Sequence, residues 1–131
     1  MKALVVDDSS VMRRVLLGAL ARVNVTDVDQ AVTGEHAIDL ASTRSHGLIL
    51  LDWSMPDIPG IEVLRSIRLR GVTAPVIMVS TEAERGRVLE AFKAGANDYV
   101  IKPFETATMI NKIQTIIAQL SLTTDRTAAE A

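Results

Sequence analysis

At 131 residues the chain is long enough to bury one proper core and too short to carry an appended effector domain. A formal net charge of -2, with 48% hydrophobic and 23% charged residues, describes an ordinary soluble globular domain and argues against disorder and broad nucleic-acid affinity. Without a cysteine, there is no disulfide, thiolate metal site or cysteine nucleophile to consider.

The first apolar run, Ala3 to Val6, breaks at Asp7-Asp8 and is far too short for a signal peptide or membrane span, so a cytoplasmic protein without a membrane role is expected. Its continuous aliphatic character predicts a strand covered on both faces. A helix follows with Val11, Met12, Val15, Leu16, Ala19, Leu20 and Val23 on one face, capped by Ser9 or Ser10. Residues 25–31 alternate apolar with polar and tolerate charge, as an edge strand does. After Thr33-Gly34, Ala37, Leu40 and Ala41 mark a short second helix. Leu48 to Leu51 is the next buried strand, ending at Asp52. Ile61, Leu64 and Ile67 give a third helix, entered through Pro59 in its first turn and left at Gly71. Val76 to Val79 is a strand, and Thr81-x-x-Glu84 forms a capping box for a fourth helix whose Val88, Leu89 and Phe92 stripe stops at Gly95. Tyr99 to Ile101 is the last strand, and Met109, Ile110, Ile113, Ile116, Ile117 and Leu120 mark a fifth helix. Strict strand–helix alternation predicts an α/β fold, a doubly wound parallel five-stranded sheet of (βα)5 type. The periodicity fades in residues 121–131, which are expected to be a poorly ordered tail behind a domain of residues 1–120.

The residues that follow the strong strands are Asp7-Asp8, Asp52, Ser80 and Lys102. Open α/β sheets bind ligands at the carboxyl ends of their strands, where the winding reverses. With strand order 2-1-3-4-5 the reversal lies between the first and third strands, so three carboxylates meet there. Such carboxylates repel one another unless a proton, a cation or an ammonium intervenes. Mg²⁺ suits them, since it takes one or two carboxylates and fills its octahedron with water or phosphate oxygens. Lys102 adds a second positive charge and Ser80 a hydroxyl, both suited to holding a phosphoryl group. Asp52 then reads as a nucleophile that forms an aspartyl-phosphate. Taken singly, Asp7 or Asp8 is a helix cap, Ser80 a strand-end hydroxyl, Lys102 a solvated lysine, Tyr99 an edge-strand aromatic and Trp53 an apolar plug over a loop. It is their joint order that points to phosphoryl chemistry.

Related chemistries lack their residues. A dinucleotide or flavin site needs a Gly, Ser or Thr cradle after the first strand, where the two aspartates would repel phosphate. No Gly-x-x-x-x-Gly-Lys-Ser/Thr occurs, and the Asp-x-Asp pair of aspartate-nucleophile phosphatases is missing, since Asp52 is followed by Trp53-Ser54. His36 and His46 have no ligand-spaced partners and are expected at the surface.

Four stretches carry a resemblance: Val5-Val-Asp-Asp-Ser-Ser10, Leu51-Asp-Trp-Ser-Met-Pro56 with Gly60, Val79-Ser-Thr-Glu82, and Ala94-Gly-Ala-Asn-Asp-Tyr-Val-Ile-Lys-Pro-Phe104. Together they resemble the receiver domains of two-component response regulators, of the single-domain, CheY-like chemotaxis type. The resemblance runs from Met1 to about Leu120 and implies the flavodoxin-like fold. It implies that Asp52 accepts a phosphoryl group from a sensor histidine kinase, with Asp8, Asp52 and the Ser54 backbone carbonyl holding Mg²⁺ and Asp7 acting through a water. Lys102 would bridge to the phosphoryl oxygens, with Lys102-Pro103 a cis peptide. Ser80 would swing to the phosphate and Tyr99 would follow inward, repacking the face formed by the fourth helix, fifth strand and fifth helix. The family more often has Asn or another polar residue where Ser54 stands and Ala or Gly where Thr81 stands. Those two positions and Glu82 flank the path of the hydrolytic water. The implied protein is a monomeric phosphoacceptor, with self-phosphorylation and self-dephosphorylation as its only catalysis. Its implied partners are a CheA-like kinase, an output protein such as the flagellar motor switch, and a phosphatase. A phosphate sink or shuttle, and a receiver excised from a longer regulator, are the alternative readings.

Overall fold

In the computed structural model, backbone is described for residues 1–130 and side chains for residues 1–122. Five strands, β1 (Lys2–Val6), β2 (Asp27–Ala31), β3 (Leu48–Asp52), β4 (Val76–Ser80) and β5 (Asp98–Ile101), alternate with five helices. These are α1 (Ser10–Ala21), α2 (Gly34–Thr43), α3 (Gly60–Leu69), α4 (Arg85–Lys93) and α5 (Thr106–Glu130). All strand pairs are parallel and their order is β2-β1-β3-β4-β5, as the alternation and the winding argument predict. The tail expected at residues 121–131 lies for the most part outside the described side chains.

Successive strand residues point to opposite faces, so each aliphatic run feeds two cores. Ala3, Val5, Leu48, Leu50, Ile77, Val79 and Val100 face α1 and α5, meeting Leu16, Leu20, Met109 and Ile113. Leu4, Val6, Ile49, Leu51, Val76 and Met78 face α2, α3 and α4, meeting Ala37, Leu40, Leu64, Ile67 and Ala91. Leu4, Ile49, Leu50 and Met78 are fully buried, and truncating any one of them to Ala costs about 2–5 kcal/mol. On β2 only Ala31 is buried, in keeping with an edge strand.

Four local expectations are corrected. Along α1 the inward stripe is Met12, Leu16, Ala19, Leu20 and Val23, and Val11 and Val15, about 100° round the helix, are exposed at 71% and 38%. The Thr81-x-x-Glu84 capping box does not form: α4 starts at Arg85 behind Glu84, which makes no side-chain cap bond, and Thr81 is exposed. Glu84 is itself extended, and the segment before it turns instead on the Ser80 hydroxyl, which accepts the Glu82 amide at 3.0 Å. Inward packing of α4 falls to Ala91 with part-buried Val88, while Leu89 and Phe92 stay 48% and 42% exposed. Pro59 occupies the N-cap position of α3 and lies just outside its first turn. Ser9 caps α1 as expected, accepting from the Met12 amide. Gly71 and Gly95, which end α3 and α4, have φ of 85° and 112°, a left-handed geometry that favours glycine.

Candidate functional site

The sheet register brings the strand-end residues together. Val6 is opposite Leu51 and Asp52 is opposite Val79, so Asp7 comes level with Asp52 at the carboxyl edge. Ser80 is opposite Ile101, which places Lys102 one step beyond. Backbone bonds hold this edge, from the Asp7 amide to the Ala31 carbonyl (3.1 Å) and from the Lys102 amide to the Ser80 carbonyl (2.7 Å). The Lys102 ammonium reaches Asp7 Oδ2 at 3.0 Å and Asp52 Oδ1 at 3.4 Å. The Lys102-Pro103 peptide is cis.

Carboxylate oxygens of Asp7, Asp8 and Asp52 lie within 4.8 Å of one another. Asp7 and Asp52 are buried, and Asp8 is exposed. Three carboxylates against one ammonium leave two negative charges uncompensated if all are ionised. Burial, followed by the neighbouring Asp7 charge, pushes the Asp52 carboxyl above its ordinary value of 3.8, while Lys102 and the Ser54 amide (3.2 Å from Oδ1) pull it down. A hard, oxygen-only donor set with surplus negative charge, one member open to solvent, fits Mg²⁺.

The loop between β3 and α3 closes over this edge. The Gly60 amide donates to the Trp53 carbonyl at 2.6 Å, and a Cβ on Gly60 would overlap the Asp52 carbonyl oxygen. Trp53 is 7% exposed and plugs the loop, with the Arg87 guanidinium 5.4 Å from its ring centroid. The two form part of a cleft of about 550 Å³ that also takes in Ser54, Glu62, Glu82 and Glu90. Ser80 is fully buried. The Tyr99 ring is buried too, and its hydroxyl donates to the Glu82 carbonyl at 2.7 Å. Burial raises the Tyr99 phenol above its ordinary value, partly opposed by a hydrogen bond with Ser80. Thr81 and Ser54 stand exposed beside the site.

All the strand-end residues expected at the site are thus together. One of the two histidines departs from the expectation of a surface position. His36 is exposed, but the His46 side chain is only 1% exposed and bonds Asp29 Oδ2 through Nε2 at 2.8 Å. Asp29 on the edge strand supplies the partner that permits this burial, and it is also paired with Arg44 at 3.0 Å. Residues missed by sequence reasoning are Arg87, Arg13, whose guanidinium donates to the Asp7 carbonyl at 2.8 Å, and Asp57, described below. Nothing local marks the two arginines, since their targets are assembled only by the fold.

Residues 3–114 match the family described as the response regulator receiver domain. A chemotaxis protein CheY homolog of Campylobacter jejuni is 38% identical over 120 residues, covering 89% of this chain and 92% of its own length. A Francisella response regulator receiver domain superposes with a TM-score of 0.84 at 28% identity, covering 91% of this chain and 98% of that one. A chain in the crystal structure of a CheX-CheY-BeF3-Mg²⁺ complex from Borrelia burgdorferi gives a TM-score of 0.85 at 25% identity, over 89% of each chain.

Proposed function

The chain belongs to the response regulator receiver domain family, and on that premise we propose that it is a cytoplasmic phosphoacceptor switch in which Asp52 takes a phosphoryl group from a sensor kinase phosphohistidine. The observation that carries this reading is the Lys102 ammonium set between Asp7 and Asp52, beside an open acidic corner. An Asp52 carboxylate oxygen attacks phosphorus. The P–O bond forms as the P–N bond to histidine breaks, and the electron pair of that bond stays with the imidazole, which takes a proton from solvent. Asp8, Asp52 and the Ser54 backbone carbonyl would hold Mg²⁺, with Asp7 acting through a water, and the ion would neutralise charge on the phosphoryl oxygens. Lys102 provides a second cation for those oxygens, and Ser80 a hydroxyl that turns toward them. Water attack at phosphorus then releases phosphate and restores the carboxylate, along a path bordered by Ser54, Thr81 and Glu82. Thr81 acts there by its bulk and hydroxyl.

The output surface in this reading is the α4-β5-α5 face. Leu89, Phe92 and Ile101 support it by staying 48%, 42% and 44% exposed on α4 and β5. Similarity to CheY homologs favours a chemotaxis pathway with a CheA-like kinase and a flagellar motor partner. Among the described residues no helix is long and apolar enough to cross a membrane.

The test is acetyl phosphate with and without Mg²⁺, read by intact mass and by the fluorescence of Trp53, the only tryptophan. One phosphoryl mass gained only with Mg²⁺, and absent in Asp52→Asn, is the expected result. Mass gain in Asp52→Asn, or none in the native chain, would overturn the assignment.

A further inference from the structure

Every helix begins with four amides that its own turns cannot satisfy. In α2 the three amides after the N-cap Thr33 all have partners. The His36 amide donates to the Thr33 hydroxyl (3.2 Å). The first two amides reach outside the helix: Gly34 donates to Asp57 Oδ1 at 2.7 Å and Glu35 to Asp57 Oδ2 at 2.9 Å. Asp57 belongs to the β3–α3 loop, so both of its carboxylate oxygens are committed across the molecule. Those bonds hold its carboxyl below the ordinary value of 3.8, the Gly34 amide most of all. Ile58 packs so closely on Gly34 that a Cβ there would overlap it.

The same loop carries Ser54. At its base the Gly60 amide holds the Trp53 carbonyl at 2.6 Å, and at its start the Ser54 amide holds Asp52 Oδ1 at 3.2 Å. The Gly60 bond therefore closes the loop end to end beside Asp52, and between those ends Asp57 grips α2. The segment is a strut with its base at Asp52 and its outer part on the positive end of a helix.

We infer that Asp57 is a positioning residue for the cation site, holding the Ser54 backbone carbonyl at Asp52 by anchoring the loop to the N-terminus of α2. The inference rests on the Mg²⁺ reading above. Partners of this indirect kind typically change metal affinity by 10–100-fold when removed. Thr33 supplies the matched control: its hydroxyl caps the same helix end by accepting the His36 amide, a bond within α2 and its cap.

The experiment is an Mg²⁺ titration of the full chain, read by Trp53 fluorescence and in parallel by calorimetry, for the native chain, Asp57→Ala, Asp57→Asn and Thr33→Ala, with the melting temperature of each. The expected result is a half-saturating Mg²⁺ concentration raised about tenfold in Asp57→Ala, less in Asp57→Asn, which keeps one acceptor oxygen, and less than about twofold in Thr33→Ala. Should Asp57→Ala fail to fold, a shift of about threefold in Asp57→Asn over Thr33→Ala sustains the inference. Equal losses of melting temperature in the Asp57 and Thr33 variants with unchanged Mg²⁺ midpoints would reduce Asp57 to a helix cap and overturn it. A native chain that shows no Mg²⁺ saturation by either readout would instead remove the cation reading, and this inference with it.

Discussion

Replacing Asp52 by Asn should stabilise the metal-free protein. Lys102 lies 3.4 Å from Asp52 Oδ1, an attraction of about 5 kcal/mol at an effective dielectric of about 20. Asp7 lies within 4.8 Å on the same scale, a repulsion of at least about 3.5 kcal/mol, and exposed Asp8 adds about 1 kcal/mol through water. Attraction and repulsion nearly cancel, which leaves the cost of holding a carboxylate that is 6% exposed. Asn keeps the shape without the charge, and the expected gain is about 1–2 kcal/mol, or roughly 3–8 °C in melting temperature for a domain of this size. The pH dependence follows from the direction of the shift. A carboxyl whose folded value lies above the ordinary 3.8 costs nothing while protonated in both states, and its penalty grows as pH rises through the folded value. The advantage of Asp52→Asn is therefore full at neutral pH and shrinks on acidification. Thermal melts in chelator, then with excess Mg²⁺, read both effects, because a ligand that binds only the folded state raises its stability. An Asp52→Asn variant less stable than the native chain in chelator, or equal Mg²⁺ shifts in the two, would refute the electrostatic account.

Lys102→Ala leaves Asp7, 1% exposed, without its ammonium, and should cost about 3 kcal/mol in urea unfolding, largely recovered with Mg²⁺; a loss below about 1 kcal/mol would mean that the pair is not coupled. Gly60→Ala forces a Cβ into the Asp52 carbonyl and should cost about 3 kcal/mol or prevent folding. A near-neutral melt would show that the loop yields. Arg87→Ala should change the emission of Trp53 while costing under about 1 kcal/mol, as expected of a half-exposed cation over an aromatic face. An unchanged spectrum would disprove that contact in solution.

What the sequence made legible were features whose cause is local. Buried parallel strands write themselves as unbroken aliphatic runs, and a polar residue ending such a run, as at Asp7, Asp52, Ser80 and Lys102, is conspicuous because burial penalises it. Most of what stayed hidden depends on a partner distant in the chain. Thr81 and Glu84 are a local exception, with the spacing of a capping box although α4 starts only at Arg85. His46 has no ligand-spaced neighbour in sequence, yet Asp29 meets it from 17 residues away. Asp57 looks like a turn residue until the fold brings the N-terminus of α2 to it across 23 residues. Likewise Arg68 of α3 donates to the carbonyls of Val72, Ala74 and Gly95 and to Asn97 Oδ1, partners that no local pattern announces.

In the proposed switch, the backbone of Glu82 is a link through which Ser80 and Tyr99 would move together. Its amide donates to the Ser80 hydroxyl at 3.0 Å, and its carbonyl accepts the Tyr99 hydroxyl at 2.7 Å, so one residue's backbone joins the two side chains. A phosphoryl group that draws the Ser80 hydroxyl away would release that amide, in the segment that enters α4 without a side-chain cap. Tyr99 would then lose a fixed acceptor, and its buried phenol would have to follow the carbonyl or forfeit the bond. The coupling can be measured without phosphorylation in a double-mutant cycle of Ser80→Ala and Tyr99→Phe by urea unfolding. Each single change should cost about 1 kcal/mol, and the double change should cost less than the pair added together by about 0.5 kcal/mol or more, because the two hydroxyls share the Glu82 backbone and a hydrogen bond with each other. Strict additivity would mean that the two hydroxyls hold independent parts of the loop, and that any concerted movement must arise elsewhere.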